Sequence, residues 1–512
     1  MTTRTENDAV PASPPRATLK QWLGLIIMVV PLFMLATDVT VLYLAMPAIS
    51  ADLLPAGSQQ LWILHIGEFL SAATMITFGL LARRIGARRL LLGAVAAYAV
   101  ASLLAAYAVN PEMLIGGRAL LGMAAAAFTP AGMILIRRSF RDPKQYNIAF
   151  AAFMAAFTGG AAAGPPFGGL ILEHFWWGAV FLINVPIAAV LLIGGPLLLE
   201  RNNADRSVKL DAASVVLSVA AILALVYGFQ ELSAGESTWL PLLSSSVGIG
   251  LLMLFIRRQR TAEHPLLDLE LFGSRTMRLM LVVLFVGIFS LTVAEMLLPQ
   301  YMQLVRGLSP LETGMVLLTP ALGGTAGTML TPLLAQAKHK GHATAAMLAL
   351  SALLTAGLIL LLPEANLTSL VIALTLIALT SSPYLTLVSQ MLIGAAPEEK
   401  TGSASALQEV TASLGMASSL AFLGAGALAF YRYILTAQAS GVPEDAVETA
   451  GESLGGSAAV AEGLGGSAGQ RLAEAGEIAF TAVTQAGYGV GVVVFLGLAV
   501  VFLVLRRHVQ LH

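Results

Sequence analysis

Apolar residues in this chain do not alternate with the period of a strand, nor do they stripe one face of a surface helix. They come in blocks of about twenty or more, separated by short polar turns. Fourteen blocks stand out, at 21–49, 59–82, 89–109, 112–136, 147–172, 178–199, 211–231, 239–256, 279–303, 312–336, 343–363, 367–394, 404–430 and 477–505. A block of that length crosses a hydrocarbon core of about 30 Å as a helix rising about 1.5 Å per residue. The pattern predicts an all-α polytopic membrane protein with fourteen spans. The turns leave no room for a soluble catalytic domain, so no enzyme is expected.

The rhythm changes in two places. The spans at 211–231 and 239–256 are flanked by the polar stretches ERNNADRSVK and RRQRTAEHPLLDLELFGSR. They read as an insert, which divides the chain into a disordered tail (1–20), a six-helix half (21–200), linkers carrying two inserted spans (201–278) and a second six-helix half (279–512). The second change is 431–476, rich in Gly, Ala, Ser and Glu, with the near-repeats ESLGGSA and EGLGGSA. It is expected to be either a flexible solvated loop or a hairpin that shapes an exit and attracts cations.

Composition supports the membrane reading. Only 11% of the 512 residues are charged and 57% are hydrophobic, against roughly 25% charged in soluble domains. A formal net charge of −1 gives no basic surface for nucleic acid. The chain has no cysteine, which removes disulfides and thiolate chemistry. No Gly-Lys-Ser/Thr or Gly-x-Ser-x-Gly element occurs, so neither a nucleotide P-loop nor a hydrolase elbow is expected. KHKGH at 338–342 is a weak metal pattern and reads as a basic turn. No cofactor or metal is expected.

Charge also orients the chain. All of the 28 Lys and Arg except Arg118, Arg306, Arg432 and Arg471 fall on one side of the predicted spans. By the positive-inside bias that side is cytoplasmic and holds both termini. The first apolar run is too long for a cleaved signal core and is expected to stay as the first span of a cell-membrane protein.

Few ionisable residues remain inside the spans, and such residues are functional candidates by default, because burying a charge in lipid costs about 3 kcal/mol or more. Asp38 is the only charge between Lys20 and Asp52. It reads as a proton or cation site, or as a structural acid bonded to a neighbouring helix. Arg118 lies too deep to reach an interface, so it should bond a carboxylate or carbonyls across the bundle, in coupling or in a structural network. Glu409, in SALQEVTASLG, is either functional or a span-end acid. Glu295 is embedded in the apolar run SLTVAEMLLPQY. His65 and Glu68 lie three residues apart on one helix face, either as a proton-handling pair or as an interfacial one.

The sharpest pattern is GAAAGPPFGG at 160–169. Gly160, Gly164 and Gly168 recur every four residues and smooth one helix face for close packing. Pro165 and Pro166 remove backbone donors. With Gly169, this stretch resembles the GxxxGPxxGG signature of exporters in the major facilitator superfamily. DVTVLYLAMPAI (38–49), RALLGMAAAAFTP (118–130), WWGAVFLINVP (176–186), PLLDLELF (265–272) and GESLGGSAAVAE (451–462) are similar to motifs of its 14-span drug:proton antiporters. Among these the chain is most similar to exporters of quaternary ammonium compounds and ethidium.

The resemblance implies an alternating-access transporter powered by the proton gradient. It implies amphipathic drug substrates and coupling roles for Asp38, Arg118 and Glu409, in a protein expected to act as a monomer. Departures from the family pattern are equally specific. His65 and Gly324 stand where relatives carry Asp, and Ser413 replaces a second acid of the thirteenth span. In the turn GLLARRIGARR (Gly79, Arg83, Arg84, Gly86, Arg88), Arg83 replaces a gate Asp and Ala87 replaces an Arg. The missing acids keep open a dedicated exporter of a metabolite, lipid or antibiotic. Arg83 leaves room for a membrane receptor without transport.

Overall fold

The computed structural model describes residues 16–200, 205, 211–233, 239–261, 269–336, 340–363, 366–397, 401–452 and 456–505. All regular structure among them is helical. The tail to residue 15, most of 201–210, and 262–268 lie outside the described residues, as do His339 and the start of the PLLDLELF motif.

A first bundle comprises α1 (Leu19–Leu53), α2 (Gly57–Ile85), α3 (Ala87–Ala106), α4 (Pro111–Ala125), α5 (Phe128–Ser139), α6 (Pro143–His174), α7 (Ala179–Leu182) and α8 (Asn184–Leu198). The pair α9 (Ala212–Ser233) and α10 (Trp239–Thr261) follows. A second bundle holds α11 (Arg275–Leu304), α12 (Pro310–Gln336), α13 (Lys340–Leu361), α14 (Leu367–Gly394), α15 (Thr401–Ser419), α16 (Ala425–Gln438), α17 (Glu444–Gly451), α18 (Gly456–Leu464) and α19 (Gly466–Leu505).

Helices therefore occupy all fourteen predicted stretches. Ten of them are long and apolar enough to cross a membrane by themselves, and α2, bent by 57° between Met75 and Thr77, makes an eleventh. α9 has only a shorter apolar core, Ala213–Gly228, and α15 is diluted by Ser, Thr, Gln and Glu. Two predicted spans are each two helices: 112–136 breaks between α4 and α5, and 178–199 between α7 and α8. The predicted span at 404–430 contains a π turn at Leu420–Gly424 and continues to Gln438.

Helix ends are set by local chemistry. Asn110 caps α4 by accepting from the Met113 amide at 2.8 Å. Asp142 caps α6 through the amides of Lys144 and Gln145, with Pro143 in the first turn, where its missing N–H costs nothing. Ser274 and Asn366 do the same for α11 and α14.

The 431–476 segment is not an irregular loop. α17 and α18 fold over the ends of α16 and α19, held by the Tyr431 hydroxyl on Ser457 (2.9 Å), Arg432 on the Gly451 carbonyl (2.6 Å) and Arg471 on the Gly441 carbonyl (3.0 Å). α19 begins at Gly466, eleven residues before the predicted start. The error arose because Gly and Ser suppress local helix propensity, whereas small residues allow the close packing seen between Gly476 and Ser457.

The export motif joins the bundles. Gly160, Gly164 and Gly168 face α1, where a Cβ on each would collide with Phe33, Thr40 and Val41 respectively. Gly169 faces α12, where a Cβ would lie 2.6 Å from the Pro310 carbonyl oxygen, and Gly314 of α12 packs on the Pro165 backbone. One helix thus presents smooth surfaces to both bundles, the small-residue route to close helix contact in lipid. Near the face carrying α17 and α18, called here the hairpin face, the bundles also meet through Gln303 on the Leu44 carbonyl (2.9 Å) and the Gly57 amide on the Glu452 carbonyl (3.2 Å). Within the bundles, α5 packs on α1, α2 and α3, and α14 packs on α12 and α13; the end opposite the hairpin face, which carries Arg83 and Arg84, is called here the basic face.

α9 lies between the bundles, touching α2 on one side and the π turn on the other. Trp62 stacks loosely on Tyr227, with ring centroids 6.4 Å apart. At the basic face Arg258 grips Asp211 at 2.7 and 2.9 Å, tying α10 to the start of α9.

Candidate functional site

Asp38 sits near the middle of α1 and is only 7% exposed. Arg118 of α4, 2% exposed, forms a short ion pair with its Oδ2. The same guanidinium donates to the Ile63 carbonyl (3.2 Å) and reaches the Leu64 carbonyl (3.4 Å) on α2. Close approach of α2 and α4 makes this possible. Gly67 and Gly122 touch backbone to backbone, and a Cβ at Gly122 would overlap Gly67. Two glycines four and three positions from these groups therefore set the depth to which Arg118 reaches. A buried ion pair is tolerable only when its remaining donors are satisfied, and the α2 carbonyls satisfy them.

Two polar residues that sequence reasoning missed complete this site. Tyr98 of α3 and Asn184 of α8 both face the Asp38 carboxylate, and Asn184 also donates to Ser102 at 3.5 Å. Both are buried. Their signal in the sequence was present but weak: a lone polar side chain inside an apolar run, which lipid tolerates only with a partner.

One residue beyond the Leu64 carbonyl, His65 is fully buried and its Nδ1 lies 2.9 Å from Glu68 Oε2. The expected helix-face pair is present, with the His65 side chain fully buried and that of Glu68 partly exposed. His65 Nε2 has no hydrogen-bond partner among the described residues. Its ring packs beside Tyr43 and Phe69.

Glu295 lies on α11, nine residues from the hairpin-face end. It is exposed, although Thr292, Val293, Ala294 and Met296 through Met302 are all buried. Glu68 of α2, Tyr43 of α1, Tyr384 of α14 and Tyr488 of α19 are within its electrostatic reach. Among the described residues no cation pairs with it within salt-bridge distance.

The predicted candidates thus divide. Asp38 and Arg118 pair inside the first bundle, while Glu68 of the first bundle and Glu295 of the second have no cation of Lys or Arg within salt-bridge distance among the described residues. Glu409 lies on α15, but its side chain is outside the described residues. At the predicted gate turn, Gly86 takes φ +100° and joins α2 to α3, a conformation that glycine alone adopts without strain. Arg88 donates to the Pro196 carbonyl (2.8 Å), and the Arg83 carbonyl accepts from the Asp205 amide (3.0 Å). The Arg83 and Arg84 side chains are exposed. Gly79 packs on Pro130 of α5.

The family model described as "Major Facilitator Superfamily" matches residues 29–420. The chain is 34% identical over 500 residues to the multidrug efflux pump LfrA of Mycolicibacterium smegmatis, covering 97% of this chain and 98% of that one. It is 33% identical over 463 residues to the methyl viologen resistance protein SmvA of Salmonella typhimurium, covering 90% and 93%. In fold it is similar to a bacterial homologue of the human lysosomal transporter Spinster, solved in an inward-facing and unoccupied conformation. The TM-score is 0.67 at 15% identity, over 96% of this chain and all of that one. The chain belongs to the major facilitator superfamily, as a helical membrane transporter, not an enzyme, whose relatives include multidrug efflux pumps.

Proposed function

We propose that this protein exports cationic or amphipathic toxic compounds across the cell membrane in exchange for protons, by alternating access through fourteen spans. Both termini are cytoplasmic in this reading, so the basic face is inside and the hairpin face outside. The observation that carries it is the buried Asp38–Arg118 pair, whose guanidinium also holds α2. The names of the two relatives, a multidrug efflux pump and a methyl viologen resistance protein, support organic cations as cargo.

Ionised Asp38 holds Arg118, and through it α1, α4 and α2, in one arrangement. A proton arriving from outside neutralises Asp38 and removes the Coulombic part of that contact. Arg118 then rests on the Ile63 and Leu64 carbonyls alone, and α1 is released to move against α2 and α4. Loss of the proton to the cytoplasm restores the pair. The gradient supplies the direction, since each charge moved across 100 mV is worth ~2.3 kcal/mol. Glu409 and the His65–Glu68 pair are further candidates for coupling, and no cofactor enters the cycle.

The test is Asp38→Asn in proteoliposomes. The amide keeps the shape and an acceptor for Arg118 but carries no proton. Expected is a folded protein without proton-driven cargo movement; full pH-gradient-driven transport by this variant would remove Asp38 from the mechanism. A second reading, a dedicated exporter of a metabolite or antibiotic, is favoured by Gly324 standing where cation exporters carry an acid. A panel of cationic and neutral compounds in an efflux-deficient host separates the two.

A further inference from the structure

We propose that a small cavity between the two bundles, near the hairpin face, is a binding site for water held by the side-chain amide of Gln60, and that this water is part of the seal that closes that face. The cavity lies where α2 meets α11, the π turn and α16. About 10 Å³ of it is free for the centre of a water molecule, room for about one ordered water. The site takes no part in the Asp38–Arg118 contact and does not depend on the identity of cargo or coupling ion.

The chemistry of the walls leads there. Leu61, Leu64, Met296 and Leu428 line the cavity with hydrocarbon, and Gln60 and Gln300 supply its two polar side chains, one from each bundle. All six are buried. Gln60 is 5% exposed, and its Nε2 has no hydrogen-bond partner among the described residues. Hydrocarbon cannot accept from it, and a buried N–H left unpaired costs more than its bond contributes once made. Gln300 already donates its Nε2 to the Met296 carbonyl at 3.2 Å, so the group it still offers is an amide oxygen. A water suits such a site because it accepts and donates at once. It accepts from Gln60 Nε2 and gives its own hydrogens to oxygens of the wall. No charged side chain lines the cavity, which disfavours an ion in its place.

The surroundings tie this site to closure. A Cβ on Gly57 would lie 2.6 Å from the Leu428 side chain and 3.0 Å from the Glu452 carbonyl oxygen, and one on Gly424 would lie 3.4 Å from Leu61. The Gly57 amide donates to the same Glu452 carbonyl at 3.2 Å. The bundles thus approach closely on either side of Gln60, and the water fills the gap that these contacts leave. Parting α2 from α16 admits bulk water, which satisfies Gln60 equally well. A polar side chain that the closed seam satisfies only through a water favours closure less than an apolar one would, so Gln60 keeps the seal easy to open.

The experiment has two arms on full-length protein in nanodiscs. A cryo-electron-microscopy map of the state with the hairpin face closed is expected to show an ordered water within about 3 Å of Gln60 Nε2, absent in Gln60→Leu. The second arm uses Leu428→Cys, the single thiol of an otherwise cysteine-free chain, on the cavity wall and open to a water-soluble maleimide only when the face opens. Adding Gln60→Leu should slow its labelling by about threefold or more and raise the melting temperature, because an apolar side chain prefers the closed seam. Adding Gln60→Glu, of the same shape, should speed labelling, because a carboxylate prefers the hydrated open face. A dry cavity, or a Gln60 Nε2 bonded to a protein acceptor, would overturn the water site. Equal labelling rates in all three backgrounds would overturn its part in the seal.

Discussion

Asp38 and Glu295 are both carboxylates in the middle of long apolar helices, and the fold treats them in opposite ways. Asp38 is enclosed in one bundle, paired with Arg118 and faced by Tyr98 and Asn184. Glu295 is exposed and has no cation partner within salt-bridge distance among the described residues. The difference lies in neighbours, not in local sequence. An acid whose counter-charge is built in stabilises one arrangement of its helices. An acid whose counter-charge is absent is available to a ligand.

The largest effect expected from breaking this contrast is at Arg118. Arg118→Met leaves the Asp38 carboxyl buried without its counter-charge, and removing one member of a buried pair costs about 3–5 kcal/mol. The variant should melt far below the wild type and transport nothing. Adding Asp38→Asn to it removes the stranded charge and should restore most of the melting temperature without restoring proton-driven flux; a double variant no more stable than Arg118→Met would break the pairing argument.

Glu295→Gln sharpens the comparison from the other side. An exposed acid without a cation partner contributes little to folding, so its neutral isostere should change stability by no more than about 0.5 kcal/mol. A loss as large as that of Arg118→Met would mean that Glu295 holds the bundle together and is not open to cargo. Smallest of all is Tyr384→Phe. Deleting a buried hydroxyl without a partner should leave stability unchanged or raise it by up to about 1 kcal/mol, read as a small upward shift in melting temperature.

The ionisable candidates were legible because lipid makes every intramembrane charge conspicuous. That applies to Asp38, Arg118, Glu68 and Glu295 alike, and Arg118 was expected to find a carboxylate or carbonyls and found both. Their grouping was not legible. His65 and Glu68 looked like a pair on one helix and are one, but nothing in LWILHIGEFLSA indicates that the carbonyls of Ile63 and Leu64 receive Arg118 from another helix. Tyr98 and Asn184 were passed over because a single polar side chain in an apolar run has no partner until helices pack. The form of 431–476, open in the sequence between a flexible loop and a hairpin, was not legible for the same reason: α17 and α18 are held by contacts to α16 and α19, which local propensity does not contain.

By itself, then, the sequence determined the helical class, the positions of the helical stretches, the close-packing face of the export motif and the charges that would have to be accounted for. These follow from hydropathy over about twenty residues and from the high cost of a charge in lipid, both local properties of the chain. Only the tertiary structure decided which charge each acid would meet. Pairing depends on which helices touch and at what depth, and that is set by contacts such as Gly67 on Gly122 and Gly169 on Pro310, between residues far apart in the chain.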